Sequence, residues 1–194
     1  MWADTALNTR AAASPERWQP DFEHPAMTKD FIIQSEVKEY LESARLFCEF
    51  IESPTEIDSI EFLKKVRLHL LTLYQLGLSF PLHNGEFNED TVDLLGDNYF
   101  QVLKLIGKKV GKTDFYTHMY DPTDFSDEKP VVGELTDDLG DIYRDLKRAL
   151  LQLDTDSEPA REDALWSLHF FFRSHYGEHI INGLYAIHFF LQYE

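Results

Sequence analysis

A long apolar stretch near the C-terminus, Ala164 to Tyr193, follows the periodicity of an α-helix. Residues on one face recur at alternating steps of three and four, the spacing that aligns side chains along one side of a helix. This face consists of Leu165, Leu168, Phe172, His175, His179, Asn182, Ala186 and Phe189. A buried polar side chain costs free energy unless it has a hydrogen-bonding partner. The sequence therefore predicts one long helix whose central polar residues face partners on another element.

The same periodicity predicts helices through most of the remaining chain. They cover Ser35–Glu52, Asp58–Gly77, Asp90–Val110, with interruptions by glycine, and Val131–Asp154. Pro54 ends the first of these helices, and the capping pattern Asp58-x-x-Glu61 begins the second. No convincing alternation of period two and no repeat of fixed length is present. The sequence therefore predicts an all-α, single-domain bundle of five or six mostly antiparallel helices.

The N-terminal segment differs in composition from the rest. Residues 1–27 have no sustained periodicity and combine Pro15, Pro20 and Pro25 with alanine, serine and charged residues. We expect a disordered or loosely docked extension there, followed by an all-helical domain at residues 28–194. The single cysteine, Cys48, lies on the apolar face of the first predicted helix, so we expect it to be a small core residue.

The net charge of the chain limits the classes of molecule that the protein is expected to bind. The formal net charge is −17, which disfavours binding to the phosphates of nucleic acids and to anionic membrane surfaces. No segment has the apolar length of a membrane span, and the N-terminus has no signal-peptide pattern. We expect a soluble, cytoplasmic protein with no nucleic-acid or membrane partner. A protein partner, unidentified and basic, is compatible with this charge.

Two motifs resemble catalytic signatures but are incomplete. The stretch from Gly107 to Thr113 resembles the end of a phosphate-binding P-loop, yet it has three residues between its glycines instead of four and no preceding strand. A helix end with Gly111 after the last turn explains it instead. His175-Tyr-Gly-Glu-His179 matches the H-x-x-E-H pattern of inverted zinc peptidases. Those enzymes take a third ligand from well downstream, whereas fifteen residues follow His179, which disfavours a zinc peptidase.

An acidic row accompanies the apolar face of the helix predicted for residues 131–154. Its members, spaced at four, three and four, are Glu134, Asp138, Asp141 and Asp145. A short turn joins this helix to the C-terminal one, so we expect the two to pack antiparallel, with the row within reach of the histidines. The resulting candidate polar cluster consists of His175, His179, Asn182, Asp138, Asp141, Asp145 and Arg173.

The sequence leaves several roles open for these residues. The acidic row can be an exposed side of its helix that faces water. Alternatively, it can join the histidines in a buried hydrogen-bond network that fixes how the two helices align. Alternatively, His175 and His179 bind a divalent metal ion such as Zn, Fe or Mn together with Asp141 or Asp138. Acid–base chemistry without a metal is a further interpretation. The sequence implies no cofactor other than this divalent metal ion, and it assigns no catalytic residue.

Several segments resemble a known family. They are Phe47-Cys-Glu-Phe-Ile, Leu135 to Lys147, Trp166, His175-Tyr-Gly-Glu-His179 and Ala186-Ile-His188. Over about residues 30–191 the chain resembles the bacterial domain of unknown function numbered 5063. The resemblance implies a small helical protein and implies no activity. We therefore expect a helical interaction or scaffold module, with a divalent-metal-binding protein or metal-dependent hydrolase as the alternative.

Overall fold

The computed structural model describes residues 28–83, 95–96, 98–120, 122–123, 126 and 129–192. The N-terminal extension predicted for residues 1–27 lies outside these residues, and so does Asn84-Gly85, a residue pair typical of turns. The helices are α1 Thr28–Ile32, α2 Ser35–Glu52, α3 Ser59–Ser79, α4 Asn98–Val110, α5 Leu135–Leu153, α6 Glu158–Ser174 and α7 Tyr176–Gln192, and the strands are β1 Phe115–His118 and β2 Val131–Glu134. The predicted all-α class is confirmed.

Local capping explains where two of the helices begin. The carboxylate of Asp58 accepts hydrogen bonds from the backbone N–H groups of Ile60 and Glu61 at the start of α3. The hydroxyl of Ser157 accepts from the N–H of Ala160 at the start of α6. These bonds satisfy donors that have no partner within their own helix. Among the described residues, no helix is both long enough and apolar enough to cross a bilayer.

Helix α5 lies at the centre of the domain, where it packs against α2, α4, α6 and α7. Its apolar face is fully buried and consists of Leu135, Leu139, Ile142 and Leu146. Cys48 on α2 is buried in the same core, as expected. The acidic row lies beside this apolar face, so packing of α5 against the C-terminal helices determines what the carboxylates contact.

The predicted helix at Val131–Asp154 begins later than expected, because its first four residues form strand β2. This strand pairs antiparallel with β1, and the register places Tyr116 opposite Gly133. Asp114, directly before β1, then holds the start of α5: its backbone oxygen accepts from Leu135 N, and its carboxylate accepts from Thr136 N at 2.8 Å. These nonlocal bonds set the helix start at Leu135.

The predicted single C-terminal helix is instead two helices that meet at His175. The backbone of His175 has φ −151° and ψ −89°, which is not a helical conformation. A Cβ atom at Gly177 would collide with the backbone oxygen of Phe172, so the bend requires glycine at this position. The buried Tyr176 hydroxyl donates to the Leu168 carbonyl oxygen at 2.6 Å. This hydrogen bond therefore joins the start of α7 to α6 across the bend.

The region from Gly107 to Thr113 is a helix end. Gly111 has φ +65°, the left-handed conformation that glycine adopts after a helix, and its N–H donates to the Gly107 carbonyl oxygen at 2.9 Å. The buried Lys109 donates from Nζ to the carbonyl oxygens of Phe50 and Ile51, in the last turn of α2. This lysine therefore has a structural role in joining α4 to α2.

Candidate metal centre

The acidic row of α5 faces the corner between α6 and α7. Three of its carboxylates, those of Asp138, Asp141 and Asp145, are largely buried there, and the imidazoles of His175 and His179 are partly buried against them. The two rings lie edge to face with their centroids 4.8 Å apart. Packing of α5 against α7 therefore produces a compact group of three carboxylates and two imidazoles.

Each imidazole forms a hydrogen bond through its Nδ1 atom with a different carboxylate. His179 Nδ1 lies 2.8 Å from Asp138 Oδ1, and His175 Nδ1 lies 2.7 Å from Asp145 Oδ2. An ionised carboxylate can only accept a hydrogen bond, so both Nδ1 atoms carry the proton and donate. These bonds fix the orientation of both rings and leave both Nε2 atoms for other contacts.

Both Nε2 atoms approach the third carboxylate. Asp141 Oδ2 lies 3.4 Å from His179 Nε2 and 3.7 Å from His175 Nε2. One ligand-type atom from each of these three residues lies within 4.8 Å of the other two. The arrangement therefore collects two imidazole nitrogens and one carboxylate oxygen around a common point.

Two tyrosines and an arginine surround the carboxylates. Tyr99 on α4 donates to Asp141 Oδ1 at 3.4 Å, and Arg144 donates to the same oxygen at 2.8 Å. Tyr116 on β1 donates to Asp138 Oδ2 at 2.5 Å. Each of these bonds uses the carboxylate oxygen that does not contact an imidazole, so Asp138 Oδ1 and Asp141 Oδ2 remain directed at the histidines.

The electrostatics of the cluster favour a positive charge. Three carboxylates against the one guanidinium of Arg144 leave two negative charges when both imidazoles are neutral. Burial alone would lower the pKa of His179, but the hydrogen bond and charge of Asp138, together with the charges of Asp141 and Asp137, raise it. Desolvation and then the charge of Asp141 raise the pKa of Asp137. Carboxylates are therefore crowded at this end of α5.

The predicted cluster is brought together in part. Asp138, Asp141 and Asp145 meet His175 and His179 as described above. In contrast, Arg173 and Asn182 line a separate pocket of about 860 Å³ beside α3, together with Tyr74, His118 and Phe172. Among the described residues, no hydrogen bond joins Arg173 or Asn182 to the carboxylates. Glu134, the first member of the acidic row, ends β2 and is exposed.

Comparison with known proteins supports the family resemblance. The family described as domain of unknown function DUF5063 matches residues 31–193. The chain belongs to the DUF5063 family. The resemblance inferred from the sequence is thereby confirmed. No functionally curated protein matches the chain.

A solved structure has the same fold as this DUF5063 domain. The crystal structure of protein BF1032 from Bacteroides fragilis superimposes with a TM-score of 0.69 at 19% sequence identity. The similarity covers 81% of this chain and 93% of that chain. Similarity at this level of identity shows the fold alone.

Two polar partners in this DUF5063 domain were missed by sequence reasoning. Tyr116 lies outside every predicted helix, and its strand of four residues is too short to show a clear alternation. Tyr99 belongs to a predicted helix, but its contact with Asp141 depends on the close packing of α4 against α5. Both contacts arise from tertiary structure, so no local pattern would have identified them.

Proposed function

We propose that this DUF5063 protein binds one divalent metal ion through Nε2 of His175, Nε2 of His179 and a carboxylate oxygen of Asp141. The observation that carries this proposal is the pairing of both Nδ1 atoms with separate carboxylates. Histidines that bind metals almost always donate their other ring N–H to a carboxylate, a backbone carbonyl or water, which orients the ring. Here Asp138 and Asp145 have that orienting role, and Asp141 is the ligand.

The distances from Asp141 to the two imidazoles fit a metal of ordinary size. Ligand atoms about 2.1 Å from a tetrahedral metal lie roughly 3.4 Å from one another. The distances from Asp141 Oδ2 to the two Nε2 atoms are 3.4 and 3.7 Å. The three ligand atoms lie within 4.8 Å of one another, so binding would also draw the two imidazole rings closer together. Two imidazole nitrogens and one carboxylate oxygen suit Zn²⁺, Fe²⁺ and, less strongly, Mn²⁺.

A network without a metal is the main competing interpretation. When an imidazole is neutral and donates from Nδ1, its Nε2 atom is an acceptor facing a second acceptor, Asp141 Oδ2. This contact is unfavourable until Nε2 gains a proton or a metal ion occupies the space between the groups. Protonation of both rings and binding of one divalent ion supply the same charge to the cluster. The two interpretations differ in their dependence on pH.

A metal ion with three protein ligands also has a coordination position open for water or a substrate. The side chains of His175, His179 and Asp141 remain 33%, 22% and 14% exposed, so none of the three residues is fully enclosed by the protein. Catalytic zinc sites commonly have three protein ligands and one water, and a bound metal makes that water more acidic. A metal-dependent hydrolase is therefore the enzymatic version of this proposal.

The interaction or scaffold role expected from the sequence remains a prediction. It is supported by an apolar groove of about 1130 Å³ between α2 and α3, where Leu46 and Leu68 are exposed. Nothing about the candidate metal centre requires this role or conflicts with it. A pull-down from lysate with the wild-type protein, compared with the Leu46→Glu and Leu68→Glu variants, would test it. Equal recovery of every bound protein would count against the groove.

Metal titration of untagged, metal-free protein tests the proposed function. We expect one equivalent of Zn²⁺ or anaerobic Fe²⁺ to bind, and His175→Ala, His179→Ala and Asp141→Asn to remove this binding. The matched control is His188→Ala. His188 is exposed on α7, and among the described residues its side chain has a hydrogen bond only with Gln192. Absence of stoichiometric metal, or equal loss of binding in the His188 variant, would contradict the proposal.

A further inference from the structure

We infer that Tyr116 is a positioning residue for the candidate metal centre and acts on His179 through Asp138. This role rests on the proposed function. The hydroxyl of Tyr116 donates to Asp138 Oδ2, and Asp138 Oδ1 accepts from His179 Nδ1 at 2.8 Å. The two oxygens of one carboxylate therefore join a strand residue to a metal-ligand histidine.

A carboxylate with both oxygens engaged has a fixed orientation. Asp138 would otherwise rotate about its terminal torsion, which is broad for aspartate. With Tyr116 holding Oδ2, Oδ1 stays directed at His179 Nδ1, and the His179 ring keeps Nε2 towards Asp141. Burial and the hydrogen bond to Asp138 raise the pKa of Tyr116. The hydroxyl therefore remains a donor throughout the neutral range.

The small sheet supplies the support for Tyr116. Neither β1 nor β2 contains a residue that is buried in the core, and Phe115 and Val132 are exposed. Core packing therefore does not explain why these strands pair. The cross-strand partner of Tyr116 is Gly133, where an added Cβ would lie 2.5 Å from Tyr116 Cζ and 2.7 Å from its hydroxyl oxygen. Only glycine at position 133 leaves the tyrosine ring in its observed place.

The second histidine provides an internal comparison. Asp145, the partner of His175, has its other oxygen 3.7 Å from Arg144 Nε, and no tyrosine donates to it among the described hydrogen bonds. Asp138 is therefore held more closely than Asp145. Loss of the Tyr116 hydroxyl should disturb His179 and leave His175 in place. This selectivity separates positioning from a general effect on folding.

Four variants test the inference: Tyr116→Phe, Gly133→Ala, the double variant and the control Tyr120→Phe, whose tyrosine is exposed. We expect Tyr116→Phe to weaken metal binding about 10- to 100-fold at unchanged stoichiometry, the range for loss of a group that orients a metal ligand. Gly133→Ala should have a similar effect, and the double variant should lose no more affinity than Tyr116→Phe alone. Wild-type affinity in Tyr116→Phe, or losses that add in the double variant, would overturn the inference.

A metal-free measurement separates failure of this inference from failure of the proposed function. The ¹⁵N chemical shifts of the imidazoles report which ring nitrogen carries the proton. Above neutral pH, we expect Tyr116→Phe to lower the fraction of His179 protonated at Nδ1 and to leave His175 unchanged. An unchanged His179, or equal changes in both rings, would overturn the role of Tyr116 whether or not the wild-type protein binds metal. If His179 responds as expected but no metal binds, the proposed function fails and the positioning of His179 stands.

Discussion

His179 Nδ1 lies 2.8 Å from Asp138 Oδ1, across the contact between α7 and α5. This bond does two things at once. It directs His179 Nε2 towards Asp141, and it stabilises the imidazolium form of the ring if a proton is added. Because a metal ion and a proton compete for Nε2, the pH dependence of the protein distinguishes a metal centre from a protonated structural network.

We expect His179 to stabilise the metal-free protein most at low pH. Its folded-state pKa is raised above the ordinary value of 6.5 by the hydrogen bond and charge of Asp138 and by nearby carboxylates, which outweigh desolvation. The stabilisation is therefore fully present below pH 6.5 and is lost as the pH rises through the folded-state pKa. Urea unfolding of wild-type and His179→Gln protein checks this. The difference in their free energies of unfolding should shrink as pH rises, and a growing difference would contradict it.

Metal binding should reverse this dependence. The imidazoles must be deprotonated to bind a metal, so stabilisation by a fixed metal concentration should increase with pH. We expect Zn²⁺ to raise the melting temperature more at pH 8 than at pH 6, and to leave that of Asp141→Asn unchanged at both. A larger shift at pH 6, or an equal shift in the Asp141 variant, would indicate binding elsewhere.

The bend at His175 depends on Gly177. Alanine at this position would bring a Cβ into the backbone oxygen of Phe172, and backbone atoms cannot move aside cheaply. We expect Gly177→Ala to lower the free energy of unfolding by about 1–3 kcal/mol, the usual cost of overpacking.

Gly107→Ala is the matched control for this prediction. Gly107 lies within α4, and the nearest atom to an added Cβ is Thr136 Oγ1 at 3.6 Å. Alanine is the better helix former, so this variant should be up to about 1 kcal/mol more stable. Chemical denaturation measures both variants, and a Gly177→Ala protein as stable as Gly107→Ala would show that the bend tolerates a side chain.

The buried tyrosine pair beneath the bend should respond unequally to substitution. Tyr40 and Tyr176 have their hydroxyl oxygens 2.6 Å apart, and Tyr176 donates to the Leu168 carbonyl oxygen. Tyr176→Phe leaves the Tyr40 hydroxyl without a partner, at about 1–3 kcal/mol, and removes the added bond to the Leu168 carbonyl, which keeps its bond within α6. Tyr40→Phe leaves the bond to Leu168 intact and should cost about 1 kcal/mol. Urea denaturation of both variants measures this, and equal losses would contradict the assigned direction of donation.

Much of the fold follows from local sequence. The bounds of α2 agree with the prediction because Pro54 and the apolar face define that helix without tertiary information. The meeting of Asp138, Asp141 and Asp145 with the two histidines also follows from helical spacing and the short turn after α5. Helical periodicity and a short connection are sufficient to bring these side chains together.

Other features depend on contacts that a local pattern does not contain. The apolar spacing continues through His175, so the periodicity predicts one helix, and only Gly177 offers a signal for the bend. Strands β1 and β2 are too short to show alternation, and the pairing of Tyr116 with Gly133 joins distant parts of the chain. Asn182 shares a helical spacing with the histidines and Arg173 lies two residues before His175, but both residues line the separate pocket.

Anomalous diffraction from crystals grown with one equivalent of Zn²⁺ tests the metal centre most directly. We predict one strong peak at the zinc absorption edge, about 2.0–2.2 Å from Nε2 of His175, Nε2 of His179 and one oxygen of Asp141. Both Nδ1 atoms should keep their bonds to Asp145 and Asp138. A map without a peak between these three residues, or with the zinc bound only by other side chains, would contradict the metal centre.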